Sequence, residues 1–225
     1  MNKDALISFL QTSLQNRKKE LTDFFLFIKT QQTSPINDSI NKSYILLLYA
    51  HWEGFIKESS IKYFNFICSQ KCKINKLTEN FYAIHLKDLL KEYTLSRNID
   101  IEKYLLQQIL NTERKFKIPI GEKHFLKYIL GIEDNLKAKN YKNICSLLNY
   151  TLEDPTGKFN ILLTKLVHNR NSIAHTGIKA EENTYTDIAD IEDMKNVIIK
   201  EMENFYFFIE KNIKNKNYLK SMHDI

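Results

Sequence analysis

The 225-residue sequence contains few residues that interrupt regular structure, with only five glycines and three prolines. A β-sandwich or β-barrel needs many tight turns, so this scarcity favours helices over sheets. The hydrophobic fraction of 43% is sufficient for a buried core, which argues against a disordered chain. We therefore expect an all-α helical bundle with long antiparallel helices. Residues 1–225 would form one domain, in which residues 71–143 could be a helical insertion or subdomain.

Cysteine and long apolar runs are also scarce. The three cysteines are an odd number, and the first residues do not resemble a secretory signal, so reduced thiols are favoured. The most apolar run, from Tyr44 to Ala50, is much shorter than the roughly 20 residues that span a membrane. There is no glycine-rich phosphate loop and no paired zinc-ligand spacing. We expect a cytoplasmic protein with no membrane partner, no cofactor and no bound metal.

Arginine is rare, because lysine supplies nearly all of the 33 basic residues. The formal net charge of +6 is compatible with a nucleic-acid partner but does not establish one. In a chain that otherwise uses lysine, an arginine on an apolar helix face indicates a need for the planar guanidinium and its paired hydrogen bonds. Arg170 is the arginine in such a position.

Residues 155–176 carry the periodicity of an amphipathic helix, whose start is marked by Asp154. The apolar residues of its buried face are Phe159, Leu162, Leu163, Leu166, Ile173 and Ala174. Arg170 falls on the same face, where a charged guanidinium needs a carboxylate, a phosphate or water. His175 follows near the helix end, where the helix dipole favours a protonated imidazole. An arginine that can hold a phosphate, near a histidine that can transfer protons, predicts a functional site.

An upstream helix, predicted over residues 38–68 with Asp38 as its N-cap, is apolar on nearly all sides. It should therefore be the central buried helix. Glu53 lies in its middle and needs a partner, because a buried carboxylate without one is unfavourable. The other unexplained charge on an apolar face is Arg170. We expect the two side chains to meet, either directly or through Asn171.

Two segments resemble a known family. The segment from Arg170 to His175, R-N-S-I-A-H, has the form R-N-x-x-x-H and falls within the R-x4-6-H signature of HEPN domains. Residues 48–55, L-Y-A-H-W-E-G-F, resemble the corresponding segment of the MAE_28990/MAE_18760-type HEPN-like nucleases. The asparagine after the arginine and the upstream glutamate strengthen this resemblance. It implies a HEPN-like helical bundle.

The resemblance further implies an endoribonuclease that cleaves RNA without a metal, in a cleft shared by the two subunits of a homodimer. His175 would act as general base or acid when the RNA 2′-OH attacks the adjacent phosphate. Arg170 would stabilise the charge that develops on the phosphoryl oxygens. Asn171 would orient the imidazole or contact a phosphate. The products would be a 2′,3′-cyclic phosphate and a 5′-OH.

The remaining site residues form two groups under this interpretation. Those expected to support the catalytic side chains are Glu53, Trp52 and His51. Those expected to contact the substrate are His168, Thr176 and Lys165. The resemblance also implies a role in phage defence or in a toxin–antitoxin system, with an antitoxin or a defence-system protein as a candidate partner.

Besides a structural subunit of a larger defence assembly that dimerises through the motif helix, two other interpretations fit the same residues. The first is a non-catalytic HEPN-like module that binds RNA, a nucleotide or a partner protein, although such a module has less need to retain Arg170, Asn171 and His175 together. The second is purely structural, with a buried Arg–Glu pair and a histidine that caps a helix C-terminus. Loss of RNA cleavage without unfolding in a His175→Ala variant would distinguish the enzyme from both.

Overall fold

The computed structural model describes residues 2–93, 98–117, 127, 129–132, 135–176 and 188–221, apart from the side chains of residues 88–93 and 176. These ranges contain seven α-helices, and the prediction of an all-α fold is confirmed. The helices are α1 (Lys3–Thr30), α2 (Asn37–Ser69), α3 (Glu79–Tyr93), α4 (Ile99–Leu110), α5 (Ala138–Leu148), α6 (Lys158–Thr176) and α7 (Ile188–Asn215), with a 3-10 turn at Ile74–Lys76. Within the same ranges, no helix is both long and apolar enough to cross a membrane.

Helix α2 lies at the centre of the bundle, as predicted. It packs against α1, α6 and α7, and large side chains along it, including Trp52 and Phe55, are fully buried. Apolar residues on all sides of the helix explain why its neighbours cover it on several faces. The predicted cap is wrong, because α2 begins at Asn37 and has no side-chain cap. Asp38 lies in the first turn instead, where it forms an ion pair with Lys42 (2.7 Å).

Helices α1 and α7 run antiparallel to each other. Lys18 of α1 pairs with Glu203 of α7, and Lys29, one residue before the end of α1, pairs with Glu192 at 3.1 Å. The contacts therefore move toward the start of α7 as they move toward the end of α1. The apolar faces of both helices belong to one hydrophobic cluster with α2. The predicted antiparallel arrangement of long helices is confirmed.

Residues 71–143, considered above as an insertion or subdomain, contain α3, α4 and the start of α5. After α4 the chain returns to the bundle, because the N–H of Phe116 donates to the Cys72 carbonyl (2.8 Å). The Phe116 ring also packs edge-on against Phe81, with ring centroids 5.4 Å apart. Both rings belong to the same hydrophobic cluster as the α1–α2 core. The domain assignment of this region stays a prediction.

Helix α6, which carries the predicted site, begins at Lys158, three residues later than the predicted start. The Asp154 carboxylate still caps it, accepting hydrogen bonds from the N–H groups of Phe159 and Asn160 (both 3.1 Å). Gly157 completes the intervening turn with φ of +71°, a left-handed conformation that glycine adopts without strain. The Asp154 side chain therefore caps α6, but the prediction of Asp154 as the N-cap residue with Pro155 at the first helical position is wrong, because a turn intervenes before Lys158.

Replacing Asp154 with alanine is expected to lower the free energy of unfolding by about 1–2 kcal/mol, because the first N–H groups of α6 lose their acceptor. Urea denaturation followed by circular dichroism measures the change. Asp193→Ala is the matched control, since it removes only the partly exposed ion pair with Lys158 (2.7 Å) and should cost less than about 1 kcal/mol. Equal losses in the two variants would contradict the capping role.

Candidate functional site

The last two turns of α6 carry the predicted catalytic residues. Burial of Leu163 and Leu166 holds this helix against the core, and Ile173 is also buried. Arg170 is half-buried on the same side, whereas His175 is exposed. Ala174, expected on the apolar face, is exposed because the helix is ending there. The helix therefore presents a partly shielded guanidinium and a solvent-accessible imidazole.

Within the part of the chain that the structure describes, Arg170 is held by Asn171 and Tyr49. Its Nη1 donates to the Asn171 side-chain oxygen (3.0 Å), and its Cζ lies 5.2 Å from the centre of the Tyr49 ring on α2. The same Asn171 oxygen accepts a second hydrogen bond from Asn135 Nδ2 (2.9 Å). A guanidinium over an aromatic face is stabilised by a cation–π interaction. The Arg170 guanidinium is thus held by the Asn171 side chain and by the Tyr49 ring.

The predicted pairing of Glu53 with Arg170, directly or through Asn171, is wrong for the described residues. Glu53 Oε1 instead accepts hydrogen bonds from the Tyr49 hydroxyl (2.9 Å) and from Lys57 Nζ (2.9 Å). Both partners lie one helical turn from Glu53 on α2, so neighbours in its own helix supply two of its hydrogen bonds. The connection from Glu53 to Arg170 runs through Tyr49, whose hydroxyl bonds the carboxylate and whose ring lies beneath the guanidinium.

A short segment, Asn135–Leu136, forms hydrogen bonds to both α2 and α6 and so connects the two helices. The N–H of Leu136 donates to the Tyr49 hydroxyl (2.8 Å) and to Glu53 Oε1 (3.0 Å), while Asn135 bonds Asn171. Burial, and then the neighbouring Glu53 charge, raise the pKa of Tyr49 well above its usual value. The Tyr49 hydroxyl therefore stays protonated and acts as a hydrogen-bond donor to the carboxylate.

Sequence reasoning missed both Tyr49 and the Asn135–Leu136 segment as parts of the site. The spacing of Tyr49, one helical turn before Glu53, could have identified it as a partner of the carboxylate. Asn135 gave no comparable signal, because it lies in a stretch without clear periodicity, and only the fold brings it to α6.

The structure places two of the three predicted supporting residues elsewhere. Trp52 is fully buried, with its ring 4.8 Å from Tyr141 and 5.5 Å from Phe159, so it supports α5 and the start of α6. His51 faces α1, where its Nε2 lies 3.1 Å from Glu20 Oε2 and its Nδ1 lies 3.4 Å from Arg17 Nη1. Successive helical residues are about 100° apart, so side chains two positions from Tyr49 point away from its face.

Burial, opposed in part by the Glu20 charge, lowers the pKa of His51. Both of its ring nitrogens lie next to α1 side chains, so His51 supports the α1–α2 contact and does not reach Arg170. Its predicted support of the catalytic side chains is therefore corrected by the structure. The physical reason is its position on the opposite side of α2 from Tyr49 and Glu53.

The predicted substrate-contacting residues are only partly described. His168 is exposed on α6, two residues before Arg170, and Lys165 is half-buried one turn earlier. The side chain of Thr176 lies outside the described residues. Contact of these three residues with a substrate stays a prediction.

A comparison with known protein families gives a match over nearly the whole chain. The family model HEPN_MAE_28990, described as a HEPN-like family, matches residues 6–218. The chain belongs to this HEPN family. The resemblance inferred from two short segments is confirmed, because the matched range includes α2 through α7 and every residue of the Arg170 site. No curated protein and no solved structure shows a significant match to the chain.

The reaction that this HEPN protein could support depends on Arg170 and His175, the first and last residues of its motif. Arg170 supplies a permanent positive charge, and its N–H groups lie in one plane and suit the oxygens of a phosphate. His175 supplies an exposed imidazole, the side chain best suited to proton transfer near neutral pH. On a regular helix their five-residue separation places them roughly 140° apart around the axis, so one helix does not bring them tightly together.

Proposed function

We propose that this HEPN protein is a metal-independent endoribonuclease that cleaves RNA by attack of a 2′-OH on the adjacent phosphate. The observation that carries this proposal is the fixed Arg170 guanidinium on the same helix end as the exposed His175, within the R-N-x-x-x-H motif. Family membership supports a nuclease or another RNA-related function.

In the proposed reaction the 2′-oxygen forms a bond to phosphorus and the bond to the 5′-oxygen breaks. A neutral His175 imidazole removes the 2′-OH proton, and a protonated imidazole gives a proton to the 5′-oxygen. Arg170 stabilises the charge on the non-bridging oxygens through paired hydrogen bonds. Asn171 acts on Arg170, since its side-chain oxygen accepts from the guanidinium. Contact of Asn171 with the imidazole or with a phosphate stays a prediction. The products are a 2′,3′-cyclic phosphate and a 5′-OH.

The cleft is proposed to be shared by two subunits. The wide angle between Arg170 and His175 on one helix is compensated if two α6 helices pack about a dyad, so that the two copies supply both residues to one substrate. Symmetric homodimers are the commonest oligomers. RNA is the proposed substrate, and growth arrest in phage defence or in a toxin–antitoxin system, with an antitoxin or defence-system partner, is the proposed setting. A fully active monomer in sedimentation would contradict the shared cleft.

The His175→Ala variant is expected to lose RNA cleavage while remaining folded, because His175 is exposed and contributes little to the core. The measurement is cleavage of total cellular RNA by purified protein in EDTA, with the new ends tested for cyclic phosphate. Ile161→Ala is the matched control, since Ile161 is an exposed residue of the same helix and should leave cleavage unchanged. Absence of cleavage by the wild type would favour a non-catalytic HEPN module, and cleavage by His175→Ala at the wild-type rate would contradict the assigned role.

A further inference from the structure

We propose that Tyr49 is a positioning residue for Arg170, whose ring holds the guanidinium in the orientation that binds an RNA phosphate. The role in catalysis rests on the proposed function, but the contact itself does not. Tyr49 is only 2% exposed, and its ring centre lies 5.2 Å from the Arg170 Cζ. Tyr49 and Arg170 lie on different helices, so this contact couples the central helix to the motif helix.

The Tyr49 ring is a rigid support because its hydroxyl is fixed on two sides. It donates to Glu53 Oε1 (2.9 Å) and accepts from the Leu136 N–H (2.8 Å). Glu53 is held in turn by Lys57 (2.9 Å). A ring anchored in this way cannot swing away from the guanidinium without breaking hydrogen bonds in a buried region, which is costly.

The geometry leaves the guanidinium able to bind an anion. The five N–H groups of arginine lie in the guanidinium plane, and the Asn171 oxygen uses one of them (3.0 Å). The Tyr49 ring contributes a cation–π contact and no conventional hydrogen-bond acceptor, so it restrains the guanidinium while leaving its N–H donors for oxygen atoms. The restraint lowers the freedom lost when a phosphate binds, which is the general benefit of preorganisation.

The ring, and not the hydroxyl, is the part of Tyr49 that acts on Arg170. The hydroxyl points to the Glu53 carboxylate and is held there as a donor, so it has no free role as an acid or base. This assignment predicts different outcomes for two variants. Tyr49→Phe loses the hydroxyl bonds but keeps a ring that burial still confines, so most of the restraint on Arg170 should remain. Tyr49→Leu removes the ring and should release Arg170.

The first test is independent of activity and uses the small number of arginines. The chain has only Arg17, Arg97, Arg114 and Arg170, so an NMR spectrum of the arginine Nε–H groups contains few signals. Loss of a signal in Arg170→Lys assigns the one from Arg170. Ring currents shift protons above an aromatic face, so this signal should move toward its solvent-exposed position in Tyr49→Leu and change little in Tyr49→Phe.

Tyr44→Leu is the matched control for loss of a buried tyrosine from α2. Tyr44 is fully buried and its hydroxyl donates to the Leu21 carbonyl (3.2 Å) of α1, away from Arg170. An Arg170 signal that responds equally to Tyr44→Leu and Tyr49→Leu would overturn the proposal, because it would report general loosening. An Arg170 signal that ignores Tyr49→Leu would also overturn it, whatever the activity.

The second test measures kinetics on an RNA substrate. Tyr49→Leu should lower kcat/KM about tenfold, the loss expected for a partly buried cation–π contact, and Tyr49→Phe should stay within about threefold. The Tyr44→Leu control should retain the wild-type kcat/KM once the comparison is made well below the unfolding temperature. Wild-type values for Tyr49→Leu would overturn the positioning role, while a wild-type protein that cleaves no RNA would reject the proposed function and leave the NMR result to decide the contact.

Discussion

Arg170→Lys is expected to lower kcat/KM for RNA cleavage about 100-fold, while loss of the Tyr49 and Asn171 contacts lowers the free energy of unfolding by no more than about 2 kcal/mol. Lysine keeps the positive charge but has no planar set of donors, so it cannot lie on the Tyr49 ring, donate to Asn171 and contact two phosphate oxygens at once. Steady-state kinetics on a short RNA and urea denaturation measure the two quantities.

Arg114→Lys is the matched control for the same chemical change. Arg114 is exposed and bonds the Gln108 side chain, outside the Arg170 site, so its replacement should leave kcat/KM unchanged. Full activity in Arg170→Lys would show that a single positive charge is sufficient and would contradict the need for a guanidinium.

The Arg170→Lys variant, mixed with His175→Ala, also tests whether the cleft is shared by two subunits. If two subunits pool their side chains, a mixture of Arg170→Lys and His175→Ala chains forms heterodimers that still contain one intact arginine and one intact histidine. Mixing the two inactive proteins should then restore part of the activity. Failure to restore any activity, when exchange of subunits is shown independently, would show that one arginine and one histidine from different chains are not sufficient.

Glu201→Ala is expected to lower the free energy of unfolding by about 3 kcal/mol. Glu201 of α7 is almost fully buried, and it accepts hydrogen bonds from the hydroxyls of Tyr141 (2.5 Å) and Tyr150 (2.9 Å). Alanine leaves both hydroxyls without this acceptor and opens a cavity between α7, α5 and the segment that follows α5. Chemical denaturation measures the loss. Glu203→Ala, which removes the partly exposed pair with Lys18, is the control and should cost less than about 1 kcal/mol.

Glu201 also gives the folded state a pH dependence whose sign differs from that of most carboxylates. Burial raises the pKa of Glu201 despite the opposing hydrogen bonds from the two tyrosines. The folded state therefore holds this proton more tightly than the unfolded state, so the stabilisation is complete below the unfolded pKa and falls as pH rises through the folded pKa. Relative to wild type, Glu201→Gln should become more stable as pH rises above the unfolded value. A constant difference between the two proteins across this range would contradict the raised pKa.

The helices could be predicted where one periodicity dominates. The apolar residues of α2 and the stripe from Phe159 to Ile173 on α6 identify buried faces without knowledge of their partners, and both are confirmed by burial. Arg170 and His175 could be proposed because a charge on an apolar face and a histidine at a helix end are local features. The partners of Glu53 could not be predicted correctly. Its carboxylate bonds to Lys57 and Tyr49 of its own helix and does not pair with Arg170 of α6.

The rest of the site depends on contacts between distant parts of the chain. Leu136 reaches Glu53 across 83 positions of sequence, and Asn135 reaches Asn171 across 36. Hydrophobic periodicity does not identify the Leu136 N–H or the Asn135 side chain as parts of a site. The position of this irregular segment depends on how it packs between α2 and α6. The position of His51 could not be predicted for a related reason, because its contacts with Glu20 and Arg17 depend on where α1 packs against α2.

Trp52 gives the molecule a built-in spectroscopic probe. It is the only tryptophan in the sequence, and its indole touches Tyr141 of α5 and Phe159 of α6 in the dry centre of the bundle. Indole emission moves to longer wavelength when water reaches the ring. The intrinsic fluorescence of the protein therefore reports from one point, the junction of α2, α5 and α6, and separates the departure of the motif helix from loss of structure elsewhere in the chain.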